Sequence, residues 1–379
     1  MFEKQRFLAL VACILVSFMS SFVALGQADG LFTPTGPHSI GVTSRQWIDE
    51  AREEIFTEET TDKRTVWVWI WYPADVDEDA GLAPYLSEEI DIEQAIEGAV
   101  MWFDGDASAT IDALSQIHLN AVQDAAVSDA QAAYPVIIYS TGVGGFPTVH
   151  SFQAEELASH GYIVVTIVHT LGYGLRFPGP PYFYVGDAAF ESMLPLIEFS
   201  GEDVFFVLDQ LEALNSDTFE DVLAGRLDLD HVGIAGQSNG AVYALWTIKR
   251  DDRLKAAVIE DGCPYEDVVS AYREVGQPVL FMVAERPECL DFFRLVGGPT
   301  YLMEVAGFKH STYLDQILWP KKDTRPDIFG TVEPSRAVQI TNAYVLAFFN
   351  QYLRGTAHPL LEGASEDFPE VSLEARNTG

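Results

Sequence analysis

From Pro135 onward the chain repeats one pattern that leaves few folds open to it. Short, continuous apolar runs fall at 136–139, 163–168, 232–235, 256–259, 279–283 and 301–305. Amphipathic stretches at 149–160, 203–215, 241–250, 266–274 and 290–296 separate most of them, and one more follows at 335–354. An unbroken apolar run of four to six residues, rather than a strict alternation, is the mark of a strand buried on both faces. Strands of that kind belong to parallel sheets, whose crossovers carry helices and run right-handed. The expected fold class is therefore α/β, a mostly parallel central sheet with helices on both faces. An antiparallel sandwich or a helical bundle would need a different period.

The rest of the chain decorates that core. Residues 65–72, Thr-Val-Trp-Val-Trp-Ile-Trp-Tyr, are β-branched and aromatic and read as an early strand closed by Pro73. Residues 76–133 are rich in Ala, Asp, Glu and Gln, with Ile92, Ala95, Ile96, Ala99, Val100, Ile111, Leu114 and Ile117 at helical spacing, so a helical insert or lid is expected there. The segment 177–184 is a rigid aromatic and proline-rich loop suited to lining a pocket. No internal repeat is present, and residues 29–379 read as one domain.

Ahead of it, Lys4 and Arg6 precede the apolar stretch 7–25, and Ala24-Leu25-Gly26 and Gly26-Gln27-Ala28 offer small residues for cleavage. Residues 1–28 are thus expected to be a signal peptide, and the protein secreted or periplasmic. An uncleaved anchor is the weaker reading, because the stretch barely spans a bilayer and carries Ser17, Ser20 and Ser21. Leu10-Val11-Ala12-Cys13 has the form of a lipoprotein box but leaves only a stub of apolar residues before the cysteine. Export would leave Cys263 and Cys289 in an oxidising setting, where they can pair if the fold brings them close.

Charge excludes one class of partner. With 57 Asp+Glu against 22 Lys+Arg the net charge is −35, so nucleic acids and anionic membrane surfaces are repelled. The excess acid suits a soluble exported protein and requires no acidic site. At 48% hydrophobic and 12% aromatic residues, the chain has enough apolar material for a large core.

The strongest chemical signal is Gly236-Gln237-Ser238-Asn239-Gly240. It follows the predicted strand 232–235 and opens the helical run 241–248, which is the strand-turn-helix context that presents a serine nucleophile on a strained turn. A serine hydroxyl needs a histidine to take its proton and a carboxylate to orient that imidazole. Only His310 and His358 lie downstream, and His310 follows the last predicted strand whereas His358 lies beyond the final helix. His310 is the expected base. His38, His118, His150, His160, His169 and His231 precede the serine and are expected to be structural or solvated, with His169 at a strand end beneath the site.

Three carboxylates end strands at the edge where open α/β sheets place their sites: Glu260, Asp261 and Glu285. Alternation sends Glu260 to the opposite face from Asp261. Between Asp261 and Glu285, position does not choose. The oxyanion hole needs two backbone amides, one from Asn239 after the serine and one from the glycine-rich loop 139–146, assigned to Val143. The same loop has neither the spacing nor the lysine of a nucleotide site, no metal-ligand cluster stands out, and no cofactor is expected.

Taken in order, Ile70-Trp71-Tyr72-Pro73-Ala74, Ser140-Thr141-Gly142-Val143-Gly144-Gly145, Leu157–Tyr162, Asp203–Leu211, the serine elbow, Ile259-Glu260-Asp261-Gly262 and the His310 region resemble the secreted, plasma-type platelet-activating factor acetylhydrolases and their bacterial relatives. That family has the α/β-hydrolase fold and more distantly resembles dienelactone hydrolases. The resemblance spans about 36–354 and implies Asp261 as the acid, with a small-molecule or lipid ester as substrate and only transient contact with a lipid interface. Two departures alter the walls of the site: Gln237 and Thr141 stand where relatives often carry histidine. The family shades into general carboxylesterases and polyester-degrading enzymes, and serine peptidases share the fold. A non-enzymatic binding module would usually lack a triad residue, and here all three types are present.

Overall fold

In the computed structural model, the described residues are 30–55, 61–86, 106–143, 145–169, 194–216, 221–263, 275–285, 289–320 and 325–377. Their centre is an eleven-stranded sheet. Strands β5 (Tyr134–Ser140), β6 (Ile163–Val168), β7 (Leu227–Gln237), β8 (Leu254–Glu260), β9 (Val279–Val283) and β10 (Thr300–Val305) are mutually parallel, in the spatial order β10-β9-β8-β7-β5-β6. All six apolar runs expected from sequence are strands of this parallel block.

Antiparallel strands close both sides. Beyond β6 lie β2 (Lys63–Asp75) and β1 (Ser39–Glu53), paired along nearly their whole length. The short strands β3 (Ala121–Gln123) and β4 (Ala126–Val127) add to β1 and β2, and β11 (Val371–Arg376) covers β10. Pro73 does not end β2 as expected. Pairing with β6 covers only 67–71, so beyond Trp71 a missing N–H breaks no ladder on that side, and Pro73 still accepts at its carbonyl from the Ser128 amide.

Of the expected helical insert 76–133, residues 76–86 and 106–133 are among the described residues. They contain α1 (Ala107–Leu114), which takes in Ile111 and Leu114 but not Ile117, and they then return to the sheet as β3 and β4. Residues 87–105, which carry the remaining helical signal, lie outside the described residues, as do 1–29, the aromatic loop 177–184 and the expected helix 266–274.

Strand alternation divides the core in two. On one face Ile137, Tyr139, Val258 and Met282 pack with Ala154 and Leu157 of α2 (Ser151–Ser159) and with Ile340, Phe348 and Leu353 of α7 (Pro334–Arg354). On the other, Val136, Ile138, Ile259 and Phe281 pack with Val207 and Leu211 of α3 (Leu194–Leu214), Val242 and Leu245 of α4 (Asn239–Ile248), and Phe292 of α5 (Cys289–Leu295). A one-turn helix, α6 (Pro326–Phe329), precedes α7.

The order of chain connection reverses about β5: β6 lies on one side of it and β7 on the other. Loops leaving β5 and β7 therefore diverge onto opposite faces, and a crevice opens at their carboxyl ends. Ser140 and Gln237 are the last residues of those two strands.

Candidate active site

Ser238 joins β7 to α4 with φ 57° and ψ −125°, a conformation that costs a non-glycine residue of order 1–3 kcal/mol. Its neighbours hold it there. The Ser238 amide donates to the Glu260 carbonyl at 3.0 Å, and its own carbonyl accepts from the Ala241 amide at 3.1 Å. Gly240 is required by close approach, since a Cβ there would sit 2.0 Å from the Ser140 carbonyl oxygen. Helix α4 starts at Asn239, whose amide thus lies in the first turn, where unpaired N–H groups and the helix dipole favour negative charge.

The loop after β5 crosses the same point. A Cβ on Gly142 would lie 3.0 Å from Ser238 Cβ, so the backbone leading to Val143 runs directly against the elbow. Thr141 is buried and donates through Oγ1 to the Ile167 carbonyl at 3.0 Å, while Val143 is 39% exposed.

Asp261 follows β8 and turns off the strand with φ 43°. Its amide donates to the Met282 carbonyl, and its carboxylate is carried to the end of β9. There Oδ1 accepts from the amides of Ala284 (2.8 Å) and Glu285 (2.9 Å), and Oδ2 meets His310 Nδ1 at 2.6 Å. Burial opposes the charge, but the hydrogen bonds from His310 and from the Ala284 and Glu285 amides outweigh it and hold the carboxyl below its usual range.

Glu285, the other candidate acid, does not touch the ring. It accepts from the His310 backbone amide at 3.1 Å and from Lys309 Nζ at 2.6 Å, on the exposed side of the loop. The acidic side chain that meets the imidazole is that of Asp261.

His310 opens a 3-10 turn, His310–Tyr313, after β10. The next such turn, Asp315–Ile317, anchors it: Asp315 accepts from the Ser151 and Phe152 amides at the start of α2 and from the Ser151 hydroxyl. The outer nitrogen of His310, Nε2, lies 3.3 Å from Gln237 Nε2, and the same amide donates to the His310 carbonyl at 3.2 Å. Gln237, a departure from the family pattern in sequence, thus links the end of β7 to the imidazole.

As alternation required, Glu260 faces away from Asp261, toward α2. There Oε2 accepts from the Tyr139 hydroxyl at 2.5 Å and from Gln153 Nε2 at 3.2 Å. Burial pushes this carboxyl up to about 7, against the opposing effect of those two donors. A disulfide between Cys263 and Cys289, with Cα atoms 5.4 Å apart, ties the turn after Asp261 to the start of α5. His169 is buried beneath the loop, as expected. The other early histidines are scattered: His150 is buried in the core, whereas His231 is exposed and pairs with Asp228. His358 caps the short turn Pro359–Leu361.

Sheet, elbow and strand-end loops define the α/β-hydrolase fold. A ferulic acid esterase from Streptomyces cinnamoneus superposes with a TM-score of 0.73 over 92% of this chain and 99% of its own, at 24% identity. The sequence pattern of the family "Platelet-activating factor acetylhydrolase, isoform II" matches residues 26–171. Among curated relatives, the platelet-activating factor acetylhydrolase of Cavia porcellus is 24% identical over 277 residues, 63% of this chain and 64% of its own. That of Canis lupus familiaris is 25% identical over 260 residues, 58% of this chain and 57% of its own. A probable 1-alkyl-2-acetylglycerophosphocholine esterase of Arthroderma benhamiae is 24% identical over 273 residues, 62% of this chain and 65% of its own. The chain thus spans less than two thirds of the length of these relatives. Among the described residues, no helix is long and apolar enough to cross a membrane.

Proposed function

We propose that this protein is an exported serine carboxylic-ester hydrolase acting through an acyl-enzyme, on short-chain or phospholipid-type esters. The observation that carries the reading is the contact of His310 Nδ1 with the buried Asp261 carboxylate, together with a strained elbow serine whose preceding residue, Gln237, reaches His310 Nε2. Ser238 attacks the ester carbonyl while His310 Nε2 takes its proton. Asp261, an acceptor at Nδ1, fixes the tautomer with Nε2 free to act as base and stabilises the imidazolium that forms. The amides of Val143 and Asn239 receive the negative charge that develops on the carbonyl oxygen. His310 then returns its proton to the departing alcohol, and water repeats the sequence on the acyl-enzyme.

The names of the curated relatives support an acetyl ester of a glycerophospholipid as the substrate type. Export is supported by the signal-like residues 1–28, and the Cys263–Cys289 bridge suits an oxidising compartment.

The test is hydrolysis of p-nitrophenyl esters from acetate to palmitate by the protein and by Ser238→Ala, with the active sites counted by an organophosphate. We expect turnover on short chains and a loss of about 10⁴-fold or more in the variant. Near-wild-type rates in Ser238→Ala would refute the assignment. Turnover confined to long chains would replace the substrate reading with a lipase or polyesterase. No serine-dependent turnover of any ester would favour a peptidase or a binding module.

A further inference from the structure

A second serine, histidine and aspartate stand in line behind the candidate site. Ser140 Oγ is 2.7 Å from His169 Nε2, and His169 Nδ1 is 3.0 Å from Asp203 Oδ2. Asp203, on α3, is gripped by Arg64 of β2, through Nε at 2.9 Å and Nη2 at 2.5 Å, and by Arg52 Nη2 of β1 at 2.9 Å. Arg64 also donates to Glu54 at 2.8 Å. Ser140, His169, Asp203 and Arg64 are all at most 3% exposed.

Charge and geometry fix the direction of the hydrogen bonds. Facing two guanidinium groups, Asp203 stays ionised in spite of its burial. An ionised carboxylate only accepts, so His169 must carry its proton on Nδ1. Its Nε2 then has only a lone pair, and the Ser140 hydroxyl donates to it. Arg52 also holds Asp49 at 2.5 Å, so three carboxylates face two guanidinium groups, and it is burial that holds the His169 imidazole below its usual range and neutral.

This is the hydrogen-bond order of a nucleophilic triad, but Ser140 has no exposed surface through which an ester could reach it. It does occupy a mechanical position. Ser140 is the last residue of β5, paired with Ile167 of β6 and Gly236 of β7. The Thr141 amide makes the last backbone bond to β6, at 3.3 Å, before the chain turns toward Val143. The carbonyl of Ser140 is also the surface on which Gly240 of the elbow rests, and the His169 ring stands edge-on to Tyr243 of α4 at 5.0 Å. A shift of Ser140 would therefore move the Val143 loop relative to Ser238.

We propose that Ser140, His169 and Asp203 form a buried positioning array that holds the Val143 amide over the serine elbow. The proposal rests on the esterase reading for its catalytic consequence, but not for the tether itself. An amide that stabilises charge only in the transition state affects kcat without changing substrate binding, and a displacement of about 1 Å can cost on the order of 10²-fold. A residue that merely supports the fold would instead lower the melting temperature and the fraction of titratable sites, leaving each remaining site with its full rate.

The test compares Ser140→Ala and His169→Asn with the intact protein. Asn at 169 keeps a donor for Asp203, so no buried anion is orphaned, but loses the acceptor for Ser140. Per organophosphate-titrated site, we expect kcat to fall at least about tenfold in each variant with KM within twofold, and the double variant to be no worse than either single one. Hydrogen exchange of a peptide spanning 141–146 should quicken about tenfold in both variants. Wild-type kcat per titrated site together with unchanged exchange would overturn the proposal. If the intact protein neither turns over esters nor reacts with organophosphate, the esterase reading fails, and the exchange experiment alone decides the tether: faster exchange upholds it and unchanged exchange overturns it.

Discussion

Replacing Glu260 with glutamine should stabilise the protein increasingly as pH rises. The carboxyl is fully buried, and only Oε2 has protein donors, from Tyr139 and Gln153, while Oε1 is without a hydrogen-bond partner. Burial raises it from an ordinary 4.5 to about 7. The sign follows from linkage: the folded state holds this proton more tightly than the unfolded chain. Its contribution is complete below about pH 4.5 and is lost as pH climbs through about 7. Between pH 5 and pH 8 the loss from this one group is roughly 2–3 kcal/mol. Glutamine keeps an acceptor oxygen for Tyr139 and Gln153 and does not titrate, so the loss disappears. At pH 5 the extra amide proton costs about 1 kcal/mol for want of an acceptor. Asp315 and Glu155, also raised by burial, to about 7 and about 8, are common to both proteins and cancel in the difference. Urea unfolding of both proteins at pH 5, 6, 7 and 8, compared at constant m-value, reads that difference directly. Parallel stability profiles would mean that Glu260 is not held neutral by burial, and the reasoning would fall.

Asp261→Asn should lower kcat by about 10³–10⁴-fold with little change in stability, because an amide at that position favours the wrong imidazole tautomer. Glu285→Gln, which alters the contacts to Lys309 and to the His310 backbone but none to the ring, should cost less than about tenfold; a larger loss for Glu285 than for Asp261 in steady-state assays would reverse the assignment. Replacing Cys263 and Cys289 with serine opens a loop of 26 residues and should cost about 3 kcal/mol, read by urea or thermal unfolding. With a net charge of −35, the thermal midpoint should rise as salt is added at low ionic strength; a flat response would show that self-repulsion is not a significant cost.

The parallel strands were legible because a strand buried on both faces writes an unbroken apolar run. The strands that were not anticipated write something else. Only the first few residues of β1 are buried, and the rest alternates half-exposed with exposed through Arg45, Asp49 and Glu53, which reads as loop until β2 is known to lie beside it. Strand β11, Val-Ser-Leu-Glu-Ala-Arg, is short and polar on its outer side, as an edge strand should be. Helix α3 extends upstream to Leu194 beyond its predicted start at 203, its first turns carrying Pro195 and Gly201, which read as breaks in a helix. At the site, the elbow serine and His310 were marked by motif and chain order. The acid was not marked by local sequence, because the choice depends on a backbone angle. The φ of 43° at Asp261 swings its carboxylate to the amides at the end of β9, and no pattern of residue types encodes that turn. The disulfide was hidden for a similar reason, since only the adjacency of β8 and β9 brings residues 26 apart within bridging distance.

That one backbone turn also divides the labour between two adjacent acids. Had β8 continued straight through Glu260 and Asp261, alternation would still have separated their side chains, but both carboxyls would have entered apolar layers of the core. Both would then have been driven toward the neutral form. Leaving the strand at Asp261 gives its oxygens two amide donors and an imidazole N–H, enough to keep the charge despite burial, whereas Glu260 finds a phenol and a carboxamide and does not. Below about pH 7, Asp261 is therefore the anion at the imidazole of His310, while Glu285 meets only its backbone amide and Lys309. Were Glu260 ionised as well, it would stand only one residue away and strengthen the hold on the imidazolium, which has to release its proton to the departing alcohol in every cycle. Opposite protonation states in neighbouring carboxyls are the signature by which acid and base roles are recognised, and below about pH 7 they arise here from where a strand ends.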